Sequence, residues 1–535
     1  MKYAHLILFF MVLITSCNKL KEEDHPFPTI GYIQLEHSQL EISEVITDLE
    51  VPWDIEAAIK DHLWFTQVSG SVHLFDLKTG VLRDVFQVPD LIAKKSYGLL
   101  GMTVDPSEAF VFLHYTFAIP NTGQQEEIRS RLVRYEFDGE TLVNPRILMD
   151  SLPGATFHNG SRIVISGDNT LFFSLGDVGK VDLSQDKDFF GGKILRINMD
   201  GSIPGDNPFP NSPVWAMGFR NTQGMTFGQN NQLYGSDHGP INDDEVNLIL
   251  KGSNYGWPDV QGFVDLEKEK EFVSEVAVKE PLIAWTPTIA TAGLAYYAHS
   301  DIPEWTNSLL VATMKGRSLR VLHLDDDGQS IGKESIFLQK HFGRIRDVAV
   351  APNGDVFFST SNRDWHPRFQ PWMYDGLPEG PDRILRIRKV KKAQKINPSL
   401  PIYREEAEPI PLMDENWSFN VSQELEAGAK LYAQYCLTCH GPEGKGAEEL
   451  IPPLSQTDWV TGDKGRLIRI ILSGLSGEIT VNGSTYNQEM PAYDYLSDTE
   501  IADLLTFIRN DLGNKSSAVI PGEVYEERQG LKRKD

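Results

Sequence analysis

From about residue 45 to residue 390 the chain is a series of short apolar and aromatic runs cut by Gly, Asn and Asp. Runs of this length, rich in aromatic and β-branched residues and bounded by turn formers, predict strands rather than helices. The clearest are Leu63-Trp64-Phe65-Thr66, Val111-Phe112-Leu113-His114, Thr170-Leu171-Phe172-Phe173-Ser174, Gln232-Leu233-Tyr234-Gly235, Leu309-Leu310-Val311-Ala312 and Val356-Phe357-Phe358-Ser359. Most are followed by a partner run: Ser71 to Phe75, Arg131 to Tyr135, Lys193 to Ile197, Ser318 to Leu322 and Arg383 to Ile387. Sheet units recurring roughly every 40–70 residues predict an all-β, six-bladed propeller over 45–390. A pair of β-sandwiches is the alternative.

The pattern changes after residue 390. Pro398, Pro401, Pro409 and Pro411 interrupt any regular element, so 391–420 is expected to be a linker. Ser422 is placed to cap a helix running to Tyr435. Ser497-Asp498-Thr499-Glu500 is a capping box ahead of Ile501, Leu504, Leu505 and Ile508, which share one helical face, and Gly513 stands where a helix C-terminal glycine belongs. A small all-α domain is expected over 421–515. Residues 516–535 are polar and are expected to form an unstructured tail.

With 535 residues, two or more domains are expected. The net charge of −25 excludes the basic footprint that nucleic-acid binding requires. The three cysteines, Cys17, Cys436 and Cys439, point to uses other than a disulfide framework. Leu6 to Ile14, behind Lys2, is too short to span a bilayer and suits a signal sequence. Ile14-Thr15-Ser16-Cys17 resembles a bacterial lipobox. That resemblance implies a signal over 1–16, a lipidated Cys17 and a tether over 17–44. The protein would be exported and held by lipid alone, on the periplasmic side of a membrane or on the surface of a Gram-negative cell. An ordinary secretory signal with an unrelated Cys17 is the alternative.

Cys436-Leu437-Thr438-Cys439-His440 is a C-x-x-C-H motif, the attachment site of a c-type haem: Cys436 and Cys439 hold the porphyrin and His440 the iron. A zinc or redox pair is the alternative. Helix, motif, irregular loops and helix in this order resemble a class I cytochrome c. The resemblance implies Met490 as the second iron ligand, and Pro453, in Pro452-Pro453-Leu454, as the residue whose carbonyl holds the His440 ring.

The blade-entry loops carry a concentrated set of polar residues. These include Phe157-His158-Asn159-Gly160-Ser161-Arg162, Arg220-Asn221-Thr222-Gln223-Gly224, Asp237-His238-Gly239-Pro240, Asp244-Glu245, Asn254-Tyr255-Gly256-Trp257-Pro258, Lys315 and Arg344-Ile345-Arg346. Entry loops of a propeller converge on one face, so these cations suit a small polyanion. In this order the motifs, with Gly201-Ser202-Ile203-Pro204-Gly205-Asp206-Asn207-Pro208-Phe209, resemble the soluble aldose dehydrogenases that use pyrroloquinoline quinone (PQQ), the glucose/sorbosone dehydrogenases. The resemblance covers about 45–390 and implies oxidation of a sugar at C1 to a lactone. It implies His158 as base and Arg220 as the group that polarises the quinone carbonyl. Lys315, Arg344, Arg346, Asn221 and Thr288 would bind the quinone. It further implies calcium on the carbonyls of Gly239 and Pro240, and a second calcium at Glu245 and the Tyr255 carbonyl. Electrons would pass from quinone to haem and on to a downstream cytochrome or respiratory acceptor. Phe157 stands where glucose-oxidising members carry Asp, Ser96-Tyr97 where they carry Gln, and the loop after Asp177 differs, so glucose is not the expected substrate. A binding propeller with a haem relay, and a quinoprotein for non-sugar alcohols, are the alternatives.

Overall fold

The computed structural model describes residues 27–532, except 58–60, 95, 120–126, 241, 370–373, 375, 391–421, 448–449, 476, 488–489, 491 and 495. The signal, Cys17 and the linker over 391–420 therefore lie outside the described residues. Among the described residues, no helix is long and apolar enough to cross a membrane.

Six antiparallel sheets are arranged as the blades of a propeller. The inner strands are Pro52–Ala57, Leu99–Val104, Ile163–Ile165, Thr222–Phe227, Thr291–Tyr297 and Ile345–Val350, and each contacts the inner strand of the next blade. The aromatic runs picked out by composition are the second strands, where burial on both faces favours continuous apolar sequence. Trp64, Phe65, Phe173, Leu310 and Phe358 are fully buried there. Second-strand hydroxyls also fasten neighbouring blades. Thr66 Oγ1 donates to the Leu100 carbonyl (3.0 Å), Ser174 Oγ to Thr222 (2.8 Å), Ser236 Oγ to Ala292 (2.6 Å) and Ser359 Oγ to Pro52 (3.2 Å).

The expected tether over 17–44 is corrected from residue 29 onward. Thr29–Gln34 and Gln39–Leu49 are strands, and they form the outer edge of the last blade. Leu40 pairs with Lys389, Ile42 with Ile387 and Ile46 with Ile384, so one blade is built from both ends of the domain. Its Ile33, Leu40 and Ile42 are fully buried against the Asp382–Lys389 strand's Leu385 and Ile387. That burial is what draws the N-terminal segment onto the sheet.

At the centre of the ring, Arg162 is almost completely buried between two carboxylates. Its Nη1 donates to Asp54 Oδ1 (2.5 Å) and its Nη2 to Asp347 Oδ1 (2.8 Å), while its Nε donates to the Gln223 carbonyl (3.0 Å). These partners come from the first, sixth and fourth blades.

The second domain is helical, with a small hairpin at Ile479–Val481 and Ser484–Tyr486. The helices Glu426–Tyr435 and Asp498–Asn510 cross closely, with Tyr432 against Phe507 (ring centroids 5.3 Å). A Cβ on Gly428 would stand 2.1 Å from the Asp503 carbonyl, so only glycine permits this approach. The expected unstructured tail is also corrected. Pro521–Lys532 is a helix packed on Lys464–Ser473 and Asp498–Asn510. Val524 is fully buried, and Lys464–Glu523 (3.0 Å), Arg469–Glu527 (2.7 Å) and Arg528–Asp498 (2.8 Å) pair across the contact. One deeply buried valine flanked by charge pairs leaves little apolar periodicity to read.

Gly428→Val is expected to force the two helices apart and to lower the thermal midpoint of the helical domain, by an overpacking cost of about 1–3 kcal/mol. Far-UV circular dichroism, compared with Gly522→Val, where the space is open, checks this; equal midpoints would contradict it.

Candidate active site

One cavity of about 320 Å³ opens at the loop face of the propeller. His158, Arg220, Asn221, Pro240, Thr288, Lys315, Arg344 and Arg346 all line it. The entry loops thus bring together most of the propeller residues singled out by sequence. Gly239, Glu245 and Tyr255 instead line a small neighbouring cavity, of which Pro240 is a shared wall.

His158 is held by a partner that sequence reasoning passed over. Its Nδ1 lies 2.8 Å from Asp177 Oδ1, and Asp177 is fully buried. Asp177 also accepts from the Gly179 N–H (2.9 Å) and from Trp257 Nε1 (3.0 Å), so its carboxylate is fixed. A buried carboxylate on Nδ1 keeps the proton there and leaves Nε2 as an acceptor. Burial, helped by the neighbouring Arg220, lowers the His158 pKa to about 4 against the pull of Asp177. The imidazole is therefore neutral near pH 7. Close packing fixes its backbone as well, since a Cβ at Gly176 would stand 2.0 Å from the His158 carbonyl.

Arg220 lies over the Trp257 ring (5.6 Å). Its Nη1 donates to the carbonyls of His238 (2.8 Å) and Gly239 (3.0 Å). Asn221 bridges two loops, accepting from the Gly160 N–H (3.0 Å) and donating its own N–H to Asp237 (2.8 Å). Lys315 Nζ reaches Thr288 Oγ1 at 3.3 Å, and burial lowers its pKa.

Arg344 and Arg346 share a second partner that the sequence did not announce. Asp364 Oδ2 accepts from Arg346 Nη2 (2.5 Å) and Arg344 Nη2 (3.4 Å). Arg344 also donates to the Tyr374 hydroxyl, which meets His366 Nδ1 at 2.9 Å. Burial first, and then Arg344, lowers the His366 pKa to about 3, so this histidine adds no charge. The buried Nε of Arg346 has no partner among the described residues. Three guanidinium groups and one ammonium on the wall of one cavity, with the Arg346 Nε unpartnered among the described residues, fit a ligand with several carboxylates.

The helical domain carries its own site. Burial brings the His440 pKa to about 4. The His440 Nδ1 lies 3.0 Å from the carbonyl of Pro452, which leaves Nε2 for a metal. The carbonyl that orients the ring is thus that of Pro452, one residue before the expected Pro453. Met490 pairs with Leu475 through both backbone groups and packs against the domain core. Cys436 and Cys439 are both unpaired, and the Cys436–His440 backbone bond (2.9 Å) keeps the motif in one turn. These residues fit a covalently bound haem. Cys439, together with Leu450 and Ile451, also lines the propeller cavity.

The calcium positions are less uniform. Among the described residues, no group of three or more His, Cys, Asp or Glu side chains is arranged to hold a metal ion. The Gly239 carbonyl already accepts from Arg220, and His238 Nδ1 lies 2.7 Å from it, so a cation there does not fit this arrangement. Glu245 is different. Burial, with Asp237 next in effect, lifts its carboxyl to about 8, a charge deficit that a hard cation would correct.

A propeller with this polar cavity, joined to a haem-binding helical domain, defines a redox enzyme. Residues 49–366 match the family model described as Glucose / Sorbosone dehydrogenase, and residues 425–511 that described as Cytochrome c. The chain belongs to the glucose/sorbosone dehydrogenase family, with a cytochrome c domain following the propeller. It is 27% identical to quinoprotein glucose dehydrogenase B of Acinetobacter calcoaceticus, over 63% of this chain and 88% of that protein. The PQQ-bound aldose sugar dehydrogenase of Streptomyces coelicolor superposes with a TM-score of 0.56 at 29% identity, covering 68% of this chain and 100% of that one. The helical domain is 40% identical to cytochrome c-552 of Thermus thermophilus over 91 residues, 16% of this chain and 69% of that protein. The protein is a sugar-dehydrogenase-type oxidoreductase with a built-in electron relay.

Asp364→Ala leaves Arg344 and Arg346 buried side by side without their shared counter-charge. We expect a loss of about 3–5 kcal/mol in stability, read by urea unfolding. A loss below about 1 kcal/mol would show that the arginines do not depend on it.

Proposed function

We propose that the protein oxidises an aldose or related sugar at C1 to a lactone, with PQQ in the propeller cavity and the domain's own c-type haem as the electron exit. One observation carries this: Cys439, whose thiol would bind the haem, lines the same cavity as His158, Arg220 and Lys315. Bound there, the quinone supplies a two-electron acceptor and the haem a one-electron outlet.

The chain's own residues divide the work. Lys315, Arg344 and Arg346 neutralise the ligand's carboxylates, with Thr288 and Asn221 as neutral neighbours. His158 Nε2 takes the proton of the C1 hydroxyl while the C1–H leaves as hydride, so two electrons and one further proton depart and C1 becomes the lactone carbonyl. Arg220 would polarise the quinone carbonyl and offset the negative charge that hydride uptake places there. His440 and Met490 would hold the haem iron, and Cys436 and Cys439 its porphyrin, which would give the site a one-electron outlet. Calcium is proposed only at Glu245 and the Tyr255 carbonyl, where it would stiffen the loop behind Arg220. The signal over 1–16 and a lipidated Cys17 would export the protein and hold it at a membrane, from which a cytochrome or respiratory acceptor drains the haem.

The holo-protein, loaded with PQQ and calcium, should reduce its own haem when given an aldose. No reduction by any sugar would refute the reading. His158→Gln should still bind the quinone but slow haem reduction by about a hundredfold or more. Because His158 is protonated only below its pKa of about 4, kcat/KM should hold as pH falls through 6.5 and decline near 4. A decline centred near 6.5 would mean that another group is the base.

A further inference from the structure

One histidine of the cavity wall has no part in the proposed chemistry. His366 stands on the short helix Trp365–Phe369, two residues after Asp364, and lines the same cavity as Lys315 and Arg344. Its Nδ1 meets the Tyr374 hydroxyl at 2.9 Å. That hydroxyl already accepts an N–H from Arg344, so its own hydrogen is the one left to share, and His366 Nδ1 accepts it. The Arg344 guanidinium also lies over the Tyr374 ring (5.0 Å), which holds the phenol in place. Burial and Arg344 keep the imidazole neutral. A neutral imidazole carries one hydrogen, and with Nδ1 an acceptor that hydrogen is on Nε2. This is the reverse of His158, whose Nδ1 keeps the hydrogen against Asp177.

The His366 Nε2–H has no hydrogen-bond partner among the described residues. Its ring is set by two neighbours, Trp365 (centroids 5.0 Å apart, 67° between planes) and Tyr374 (5.6 Å, 82°). The cations of this wall have spent part of their donor capacity, since Arg344 and Arg346 each give an N–H to Asp364. A neutral donor supplies a further hydrogen bond to a carboxylate without adding a like charge beside Lys315, Arg344 and Arg346.

We propose that, within the function argued above, His366 is a further cofactor-binding residue whose Nε2–H donates to a carboxylate of PQQ. Tyr374, held by Arg344, is the positioning residue that keeps the hydrogen on Nε2.

Calorimetric titration of PQQ into the full-length, haem-loaded, PQQ-free protein gives a dissociation constant independent of turnover. His366→Leu should weaken binding about tenfold or more. His366→Gln, whose amide again offers an N–H, should recover most of that loss. The nitrogen-15 shifts of His366, assigned by their disappearance in His366→Gln, should show the hydrogen on Nε2. In Tyr374→Phe they should show a mixture of tautomers. Equal affinity in His366→Leu, no recovery in His366→Gln, or the hydrogen on Nδ1 in the unaltered protein would overturn the inference while leaving the sugar-oxidising function standing. A haem propionate is the other source of a carboxylate, since Cys439 lines the same cavity. A shifted haem potential in PQQ-free His366→Leu, with PQQ affinity unchanged, would assign the donor to the haem and overturn the inference. Absence of PQQ binding by the unaltered protein would overturn both the inference and the function on which it rests.

Discussion

A single guanidinium in the central channel is what the rest of the propeller depends on. Arg162 takes Asp54 of the first blade and Asp347 of the sixth, and reaches the backbone of the fourth at Gln223. The two carboxylates are themselves anchors between blades: Asp54 accepts from the Met102 N–H (2.9 Å) and Asp347 from the Ile55 N–H (2.7 Å). Burial drives the Asp54 carboxyl upward, and Arg162 opposes that shift. Charges this deep gain little over an apolar filling, but they tolerate few alternative arrangements. The same residues fix the site in the chain as well as in space. Arg162 lies four positions after His158, Gln223 three after Arg220, and Asp347 directly after Arg346.

Around the cavity, acidic residues serve as braces and the cations are left facing inward. Asp177 orients His158, and Asp364 sets Arg344 and Arg346. Asp237 holds the backbone N–H groups of Arg220 and Asn221. A chain with a net charge of −25 thus presents a positive pocket, because the carboxylates around it, Asp364 on its wall included, are taken up by the groups they brace. In the helical domain a backbone carbonyl, that of Pro452, does for His440 what Asp177 does for His158.

Much of this architecture was legible in the residues, and the gaps have physical causes. Second strands buried on both faces carry unbroken aromatic and β-branched runs, so they stood out. Thr29–Gln34 and Gln39–Leu49 did not, because their place depends on pairing with residues at the far end of the domain. The terminal helix was missed because one fully buried valine and a few ion pairs hold it. At the site, His158 and the cations were legible through their motifs, whereas Asp177 and Asp364 were not, since a brace is defined by the side chain it touches. The Pro452–Pro453 choice turns on a single carbonyl direction that composition does not encode.

The blade shared between the two ends of the propeller also sets an order of assembly. Leu40 cannot pair until the strand ending at Lys389 exists, so ring closure waits for nearly the whole domain. Contacts so distant in sequence carry a large loop-closure cost and form slowly. The haem domain is more local: the helix before its cysteines meets its main partners within the same short segment. The electron exit can therefore mature on its own clock, while the chamber it serves is still an open chain.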